Sequence, residues 1–349
     1  MQKNIAIIGA GFYGLYIGGI LLKNGHNVEI YESEDREGRR ASYINQARIH
    51  RGYHYQRSIL TASRSSVLAD RFEKDFSDAV IKINHKYCVA SNFSKVSGKD
   101  FQKLATFLGI KCNKSYIDNA SSKIDSVFDV EENVFDSKTL ISIVRDRYLN
   151  NGGKIHFNTR VNKVAEKLNK VMLELDDSKV VYDEVFNVSY ESINVINKNS
   201  DLPLLPLKSR LSEICLIKKP KNLDHAITVV DGPFFSIMPF GNSPLWSLTH
   251  VLYTHKSHFI DCEDQILISK SMNEPDRRGF EYMSRDIKSF FPELDLDYVK
   301  SIYVPKIILS NMEKTDSRPI LYRKNYCINN YHCLMGGKID NIYDIEKMI

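Results

Sequence analysis

Nothing in these 349 residues spells out a metal centre or a disulfide framework. The six cysteines, Cys88, Cys112, Cys215, Cys262, Cys327 and Cys333, contain no C-x-x-C pair, and no Cys/His cluster has zinc-ligand spacing. Free, buried thiols are expected, and no metal. No apolar run approaches the roughly 18 residues of a membrane span. No basic leader with an apolar core opens the chain, so the expectation is a cytosolic protein without a membrane partner. Charge of one sign is missing too: 48 Lys and Arg against 43 Asp and Glu leave +5, too little to argue for nucleic acid. Tryptophan occurs once, at Trp246, and there is no internal repeat or low-complexity tract. What remains is a globular composition, long enough to bury a large core and divide into about two domains. An assembly of several copies is compatible with it.

Glycine is sparse at 17, yet eight of these fall within the first 52 residues, which concentrates the sharp turns there. The run Gly9-Ala10-Gly11-Phe12-Tyr13-Gly14 sits between the apolar stretch Ile5 to Ile8 and a stretch of helical spacing with Leu15, Ile17, Leu21 and Leu22. A strand feeding a turn and then a helix needs one glycine for the turn, one for backbone approach to a pyrophosphate, and one for helix–strand packing. The helix N-terminus aims N–H groups and a positive dipole end at the phosphates. Val28 to Tyr31 reads as the next strand. It delivers Glu32 and Ser33 at its end, about 20 residues past the glycines, where an acid accepts ribose hydroxyls and repels a 2′-phosphate. A bound dinucleotide follows from this register, but not which one.

Farther on, Ser63 to Phe76, Asp100 to Leu108, a segment capped by Asp136 or Ser137, and Asp276 to Phe291 carry helical patterns, and a last helix is expected near Asn341 to Met348. Strand-like runs at Glu213 to Ile217, Ala226 to Val230, Phe234 to Met238 and Trp246 to Val251 are broken by Asp231-Gly232-Pro233 and Pro239-Phe240-Gly241. They suggest a largely antiparallel sheet.

Several segments together resemble the D-amino-acid oxidase and glycine oxidase superfamily of FAD-dependent oxidoreductases. Members carry a loop of the kind G-x-S-x-x-N-x-G after the second strand; here Arg40-Ala41-Ser42-Tyr43-Ile44-Asn45-Gln46-Ala47 keeps the serine and asparagine, while Arg40 and Ala47 depart from the small or glycine residues usual there. Ser189-Tyr190 resembles the strand end that closes over the cofactor, and Gly336-Gly337-Lys338-Ile339 the C-terminal turn that faces the flavin pyrimidine. The resemblance implies FAD contacts from Gly9 to Gly14, Glu32, Ser33, the loop from Arg40 through Arg48 and Ile49, Val161, and these two later segments. It also implies an α/β fold in which a Rossmann-like FAD domain (1–84, 133–200 and 312–349) is interleaved with a mainly antiparallel substrate domain (85–132 and 201–311). A lysine beside the pyrimidine stabilises a reduced, anionic flavin, although Lys338 also suits a solvated surface turn.

The second unusual feature is Arg48-Ile49-His50-Arg51-Gly52-Tyr53-His54-Tyr55-Gln56-Arg57-Ser58, dense in arginine, histidine and tyrosine. Arginine suits carboxylate or phosphate, and His or Tyr can relay a proton. His50, His54, Arg57 and Tyr253 are the candidate catalytic residues, with Arg48, Tyr55, Arg210, Trp246 and His250 toward a small-molecule substrate. A solvated basic loop, and a satisfied core histidine at His250, are the alternatives. Arg318 is left without a role. The leading expectation is an FAD-dependent oxidation of a small amine, amino acid or hydroxyl-bearing, sugar-linked or free, molecule by hydride transfer. A redox-neutral flavoenzyme resembling UDP-galactopyranose mutase and an NAD-dependent dehydrogenase are the rivals.

Overall fold

The apolar run at the N-terminus is buried on both faces, as a central parallel strand must be. In the computed structural model, which describes residues 1–259, 278–310 and 320–349, it forms β1 (Asn4–Ile8). Alternation splits its side chains: Ile5 and Ile7 enter a core beneath two helices, α1 (Phe12–Lys23) and α4 (Ser137–Asn150), while Ala6 and Ile8 enter a second core with Val164, Val171 and Leu173. β1 lies between β2 (Asn27–Tyr31) and the strand Glu184–Asn187, both parallel to it. Lys154–His156 extends the sheet beyond β2, and Tyr331–Met335 and Leu321–Arg323 extend it on the other side. A three-stranded antiparallel sheet from Val161 to Tyr182 covers the face opposite α1.

A second, larger sheet is built from His85–Ala90, Cys112–Ser115, Ile124–Val130 and five strands between Leu207 and Phe259, with Tyr298–Leu309 paired along the whole of Leu207–Lys218. Its neighbours run antiparallel except Ala226–Val230 beside His85–Ala90. The mixed α/β class expected from the sequence is thus present, with a parallel sheet and an antiparallel one. The helix Arg278–Phe290 packs Phe280, Met283, Ile287 and Phe290 against Trp246, Leu248 and Phe235. No helix among the described residues is long and apolar enough to cross a membrane.

Local signals set most helix ends. Ser97 and Asp100 form a capping box at the start of α3 (Gly98–Leu108), which Gly109 ends in the left-handed region at φ 67°. Asp136 caps α4 by accepting from the Thr139 N–H. α2 (Ile59–Asp75) starts four residues earlier than the apolar spacing predicts, because Ile59 and Leu60 in its first turn are exposed and give no buried stripe. The expected C-terminal helix is one α-turn, Ile342–Ile345, after a 3-10 turn at Ile339–Asn341; burial of Ile342, Tyr343 and Ile345 holds it, and the exposed residues beyond do not propagate it. Cys88, Cys215 and Cys333 are buried thiols as expected, but Cys327 is exposed on a turn and Cys112 half-buried. Cys262 and Arg318 lie outside the described residues.

Candidate functional site

The site begins at the glycine turn. Gly9 has φ +106°, and a Cβ there would sit 3.2 Å from the Ser189 Cα and the Val188 carbonyl oxygen. A Cβ on Gly14 would lie 1.9 Å from the Gly9 carbonyl oxygen, so α1 touches its own turn backbone to backbone. Gly11 is the N-cap of α1 and supplies no side chain; instead the Phe12 N–H donates to Ser42 Oγ at 2.9 Å, and no acid stands in the first turn to repel an anion. Glu32, at the end of β2, accepts from the Ala10 N–H (2.8 Å) and the Glu34 N–H (2.9 Å), which fixes its carboxylate against the turn, and the Ser33 hydroxyl donates to it at 3.3 Å.

From this turn a cavity of about 1240 Å³ runs to the C-terminal turn and the face of the large sheet. It is lined by Gly9, Gly11, Phe12 and Tyr13, by Glu32 and Ser33, and by every residue from 38 to 50 except Tyr43. Val161, Ser189, Tyr190 and 336–340 complete that half. Gly14 does not line it, because its place is the helix–turn contact. The 40–49 loop is held by its own polar groups. Asn45 Nδ2 donates to the Ala41 and Ser42 carbonyls, and Asn45 Oδ1 accepts from the Ala47 N–H at 2.6 Å. Ala47 takes φ +52°, the left-handed conformation for which the resembled pattern carries glycine. Arg40, the other departure, spans Glu34 (Nε, 2.8 Å) and Glu191 (2.9 Å) at the rim. Gln46 crosses to the large sheet and donates to Thr249 Oγ1.

The other half of the cavity collects the basic aromatic cluster. His50, His54, Tyr55 and Arg57 line it; the His50 ring lies 5.6 Å from that of His54 and 5.2 Å from that of Tyr55, and Arg57 Nε is 2.5 Å from Asp231. Lys338 is not a solvated surface lysine. Its side chain is only 9% exposed, with Nζ 3.2 Å from Asp340, donating to Ser65 Oγ and 4.5 Å from the centroid of Tyr55, while its carbonyl accepts from the Tyr13 hydroxyl. Arg48 borders the cavity, but its guanidinium turns inward to Glu132 (3.4 Å), Thr228 (3.0 Å) and Tyr87 (3.2 Å), so it is a buried ionic link rather than an open anion receptor.

Three expected residues lie elsewhere, and strand alternation explains the first. Trp246 shares its face of Leu245–His250 with Leu248 and packs on the helix Arg278–Phe290, whereas Thr249 on the opposite face meets Gln46. His250 is of the Trp246 parity: it borders the cavity, but its ring bonds Asp286 at 2.8 Å and accepts from the Leu252 N–H, which makes it the satisfied core histidine. Tyr253 packs in tilted contact between the His250 and Tyr282 rings, outside the cavity lining. Arg210 pairs across to Lys306 in the strand ladder, beyond the lining residue Ser212. Sequence reasoning had set Thr249 beside Trp246 on the substrate sheet, but it missed Glu132, Asp231 and Ser65. Glu132 carries no signal of its own: it stands next to Glu131 in Asp129-Val130-Glu131-Glu132-Asn133, yet the Glu131 side chain is 60% exposed and that of Glu132 0%.

Comparison with known proteins bears on this cavity as a whole. The chain is 24% identical over 314 residues to a FAD-dependent monooxygenase of Aspergillus flavus, spanning 83% of this chain and 72% of that one, and 24% identical over 260 residues to one of Fusarium mangiferae. Its fold matches the glycine oxidase of Geobacillus kaustophilus (TM-score 0.71, 12% identity, 98% and 90% of the two chains). It also matches the FAD-bound L-alpha-glycerophosphate oxidase of Mycoplasma pneumoniae (TM-score 0.76, 12% identity, 99% and 93%). The family model for FAD-dependent oxidoreductases (DAO) matches residues 4–337, a span that takes in the glycine turn, both sheets and Gly336-Gly337. Of the readings the sequence left open this selects one: the chain belongs to the DAO family of FAD-dependent oxidoreductases and is a flavin enzyme.

Proposed function

We propose that this enzyme oxidises a small polar molecule at a carbon bearing nitrogen or oxygen, passing hydride to FAD. The observation that supports this reading best is the single cavity continuous from the dinucleotide turn to the wall of His50, His54, Tyr55 and Thr249. At about 1240 Å³ it exceeds the roughly 300–1,000 Å³ of a one-ligand site, so there is room for a cofactor and a substrate together.

The residues present fit FAD. Gly9 and Gly11 line the cavity at the turn, the α1 N-terminus presents amides without an opposing acid, and Glu32 stands where ribose hydroxyls need an acceptor. Bound there, FAD supplies the hydride acceptor, and the protein supplies orientation, charge and exclusion of water. Lys338, held by Asp340 and Ser65, would turn a cation toward the flavin ring and would stabilise the negative charge that reduction places there. Tyr13 fixes the Lys338 carbonyl and so ties the C-terminal turn to the glycine turn. Gln46 and Thr249 close the gap between the cofactor loop and the sheet wall. Arg57, carried by the basic loop and paired with Asp231, offers a charged contact for a polar substrate near the opposite wall.

The names of the relatives cover oxidation of an amino acid and of a glycerophosphate as well as monooxygenation. Anaerobic flavin bleaching separates these. Purified holoenzyme is mixed with amino acids, amines, hydroxy acids, glycerophosphates and sugar nucleotides, each with and without NADPH. Direct bleaching by one of these molecules alone is expected. Bleaching by NADPH only, with every candidate substrate inert, would overturn the reading in favour of a reductant-dependent oxygenase.

A further inference from the structure

Two opposite charges share the end of the cavity formed by the C-terminal turn. Lys338 and Asp340 both line it, each side chain is only 9% exposed, and Lys338 Nζ lies 3.2 Å from Asp340 Oδ2. The ammonium is held in place from two further sides, donating to Ser65 Oγ on α2 and sitting 4.5 Å from the centroid of the Tyr55 ring. Its backbone is pinned as well: the Lys338 N–H donates to Asn341 Oδ1 at 3.0 Å, and the carbonyl accepts from the Tyr13 hydroxyl. Asp340 is held differently. Its Oδ1 is buried and accepts no hydrogen bond among the described residues, so no donor spreads the charge of that oxygen. A buried carboxylate with one oxygen bare costs stability, and its field is little screened. The Tyr13 hydroxyl, on the cavity lining beside the glycine turn, registers that field: burial first, and then the Asp340 charge, raise it well above the usual phenol range.

We propose that Asp340 is a positioning residue that sets the reduction potential of the bound FAD by offsetting the charge of Lys338. This rests on the reading given above, in which Lys338 turns its ammonium toward the flavin ring. Two-electron reduction adds negative charge to the flavin. An ammonium fixed beside the ring and left alone favours that charge and raises the potential. With a carboxylate 3.2 Å away the two act on the ring as a dipole rather than as a full charge, so part of the rise is cancelled. Ser65 and Tyr55 hold the ammonium without changing the charge around it, whereas Asp340 does both. The sign of the effect separates charge from packing. Loss of the carboxylate raises the potential and loss of the ammonium lowers it, while a turn that merely loosens shifts both variants the same way.

The test is the midpoint potential of the FAD-loaded enzyme, read by slow anaerobic reduction beside a reference dye. It needs no substrate, so its failure is separable from failure of the oxidase reading. In Asp340→Asn the two-electron equilibrium is expected to move at least about tenfold toward reduced flavin, a rise of about 30 mV, and in Lys338→Gln at least about tenfold the other way. Asp340→Glu, which keeps the charge, and Ser65→Ala, which takes only a hydrogen bond from the ammonium, are expected to stay within about threefold of the parent. A fall in Lys338→Gln with no rise in Asp340→Asn overturns the proposal. So do shifts of the same sign in both, and an unchanged potential in both removes the turn from the flavin and the proposal with it. Should Asp340→Asn not retain FAD, because Lys338 is then buried without its carboxylate, the double variant Lys338→Gln/Asp340→Asn buries no lone charge and is compared with Lys338→Gln. A higher potential in the double variant is expected; equal potentials refute the assignment.

Discussion

Two glycines five residues apart on α1 give opposite expectations for the same substitution. Alanine at Gly14 puts a Cβ 1.9 Å from the Gly9 carbonyl oxygen, so the helix and its turn must separate by more than about 1 Å to reach ordinary contact. The turn has little room to retreat, since a Cβ built on Gly9 would already lie 3.2 Å from Ser189 and Val188. Overpacking of this kind costs about 1–3 kcal/mol, against about 1 kcal/mol gained from the helix propensity of alanine. The net is a loss of up to about 2 kcal/mol. Because the atoms forced apart are those that approach the pyrophosphate, FAD affinity should fall by about tenfold, or about 1.4 kcal/mol. Gly19 has nothing within 4 Å of the position a Cβ would take, so Gly19→Ala retains the propensity gain alone and is stabilising by about 0.5–1 kcal/mol. Thermal melts of both variants with and without added FAD, and fluorescence titration of the apoproteins with FAD, measure each term. A Gly14→Ala protein that melts at or above the parent and keeps its flavin would refute the backbone-contact argument.

At Ala47, held at φ +52° with its methyl buried, glycine should be neutral to within about 0.5 kcal/mol, since about 1 kcal/mol of left-handed strain is relieved and about 0.8 kcal/mol of methyl burial is lost. Ala47→Val, β-branched in the same conformation, should instead destabilise by about 2 kcal/mol and shed FAD, as denaturant melts and flavin content would register. Burial acts to raise the Glu184 carboxyl, but hydrogen bonds from His332 (2.7 Å) and Lys3 (2.8 Å) outweigh it and hold the group at about 2. A depressed carboxyl contributes stability above its unfolded value, and the contribution is lost as pH falls from about 4.5 toward about 2. Glu184→Gln should therefore cost about 2 kcal/mol at pH 7 and progressively less in urea melts below about pH 4; a pH-independent cost would refute the pairing.

Legibility followed the range of the interaction. The strand, turn, helix and terminal acid from Asn4 to Glu32 are written in adjacent residues, because pleat, turn and helix periods are local, and so are the caps at Asp136 and Gly109. The basic aromatic segment stood out by composition. What its members do did not, since Arg48 and His50 differ by two positions yet one points into a buried pair and the other lies on the cavity wall.

The sequence by itself determined that a dinucleotide turn opens the chain, that Glu32 ends the second strand, and that a second, antiparallel sheet follows. Only the tertiary structure decided which neighbours face the site. Strand parity chose Thr249 over Trp246, and pairing of Ile124–Val130 with His85–Ala90 carried Glu132, not Glu131, in behind His50. The packing of α2 beside the C-terminal turn turned Lys338 from a surface lysine into a buried cation on Ser65 and Asp340. In each case what decides is the register of a strand or the approach of a segment far along the chain, which no local pattern records.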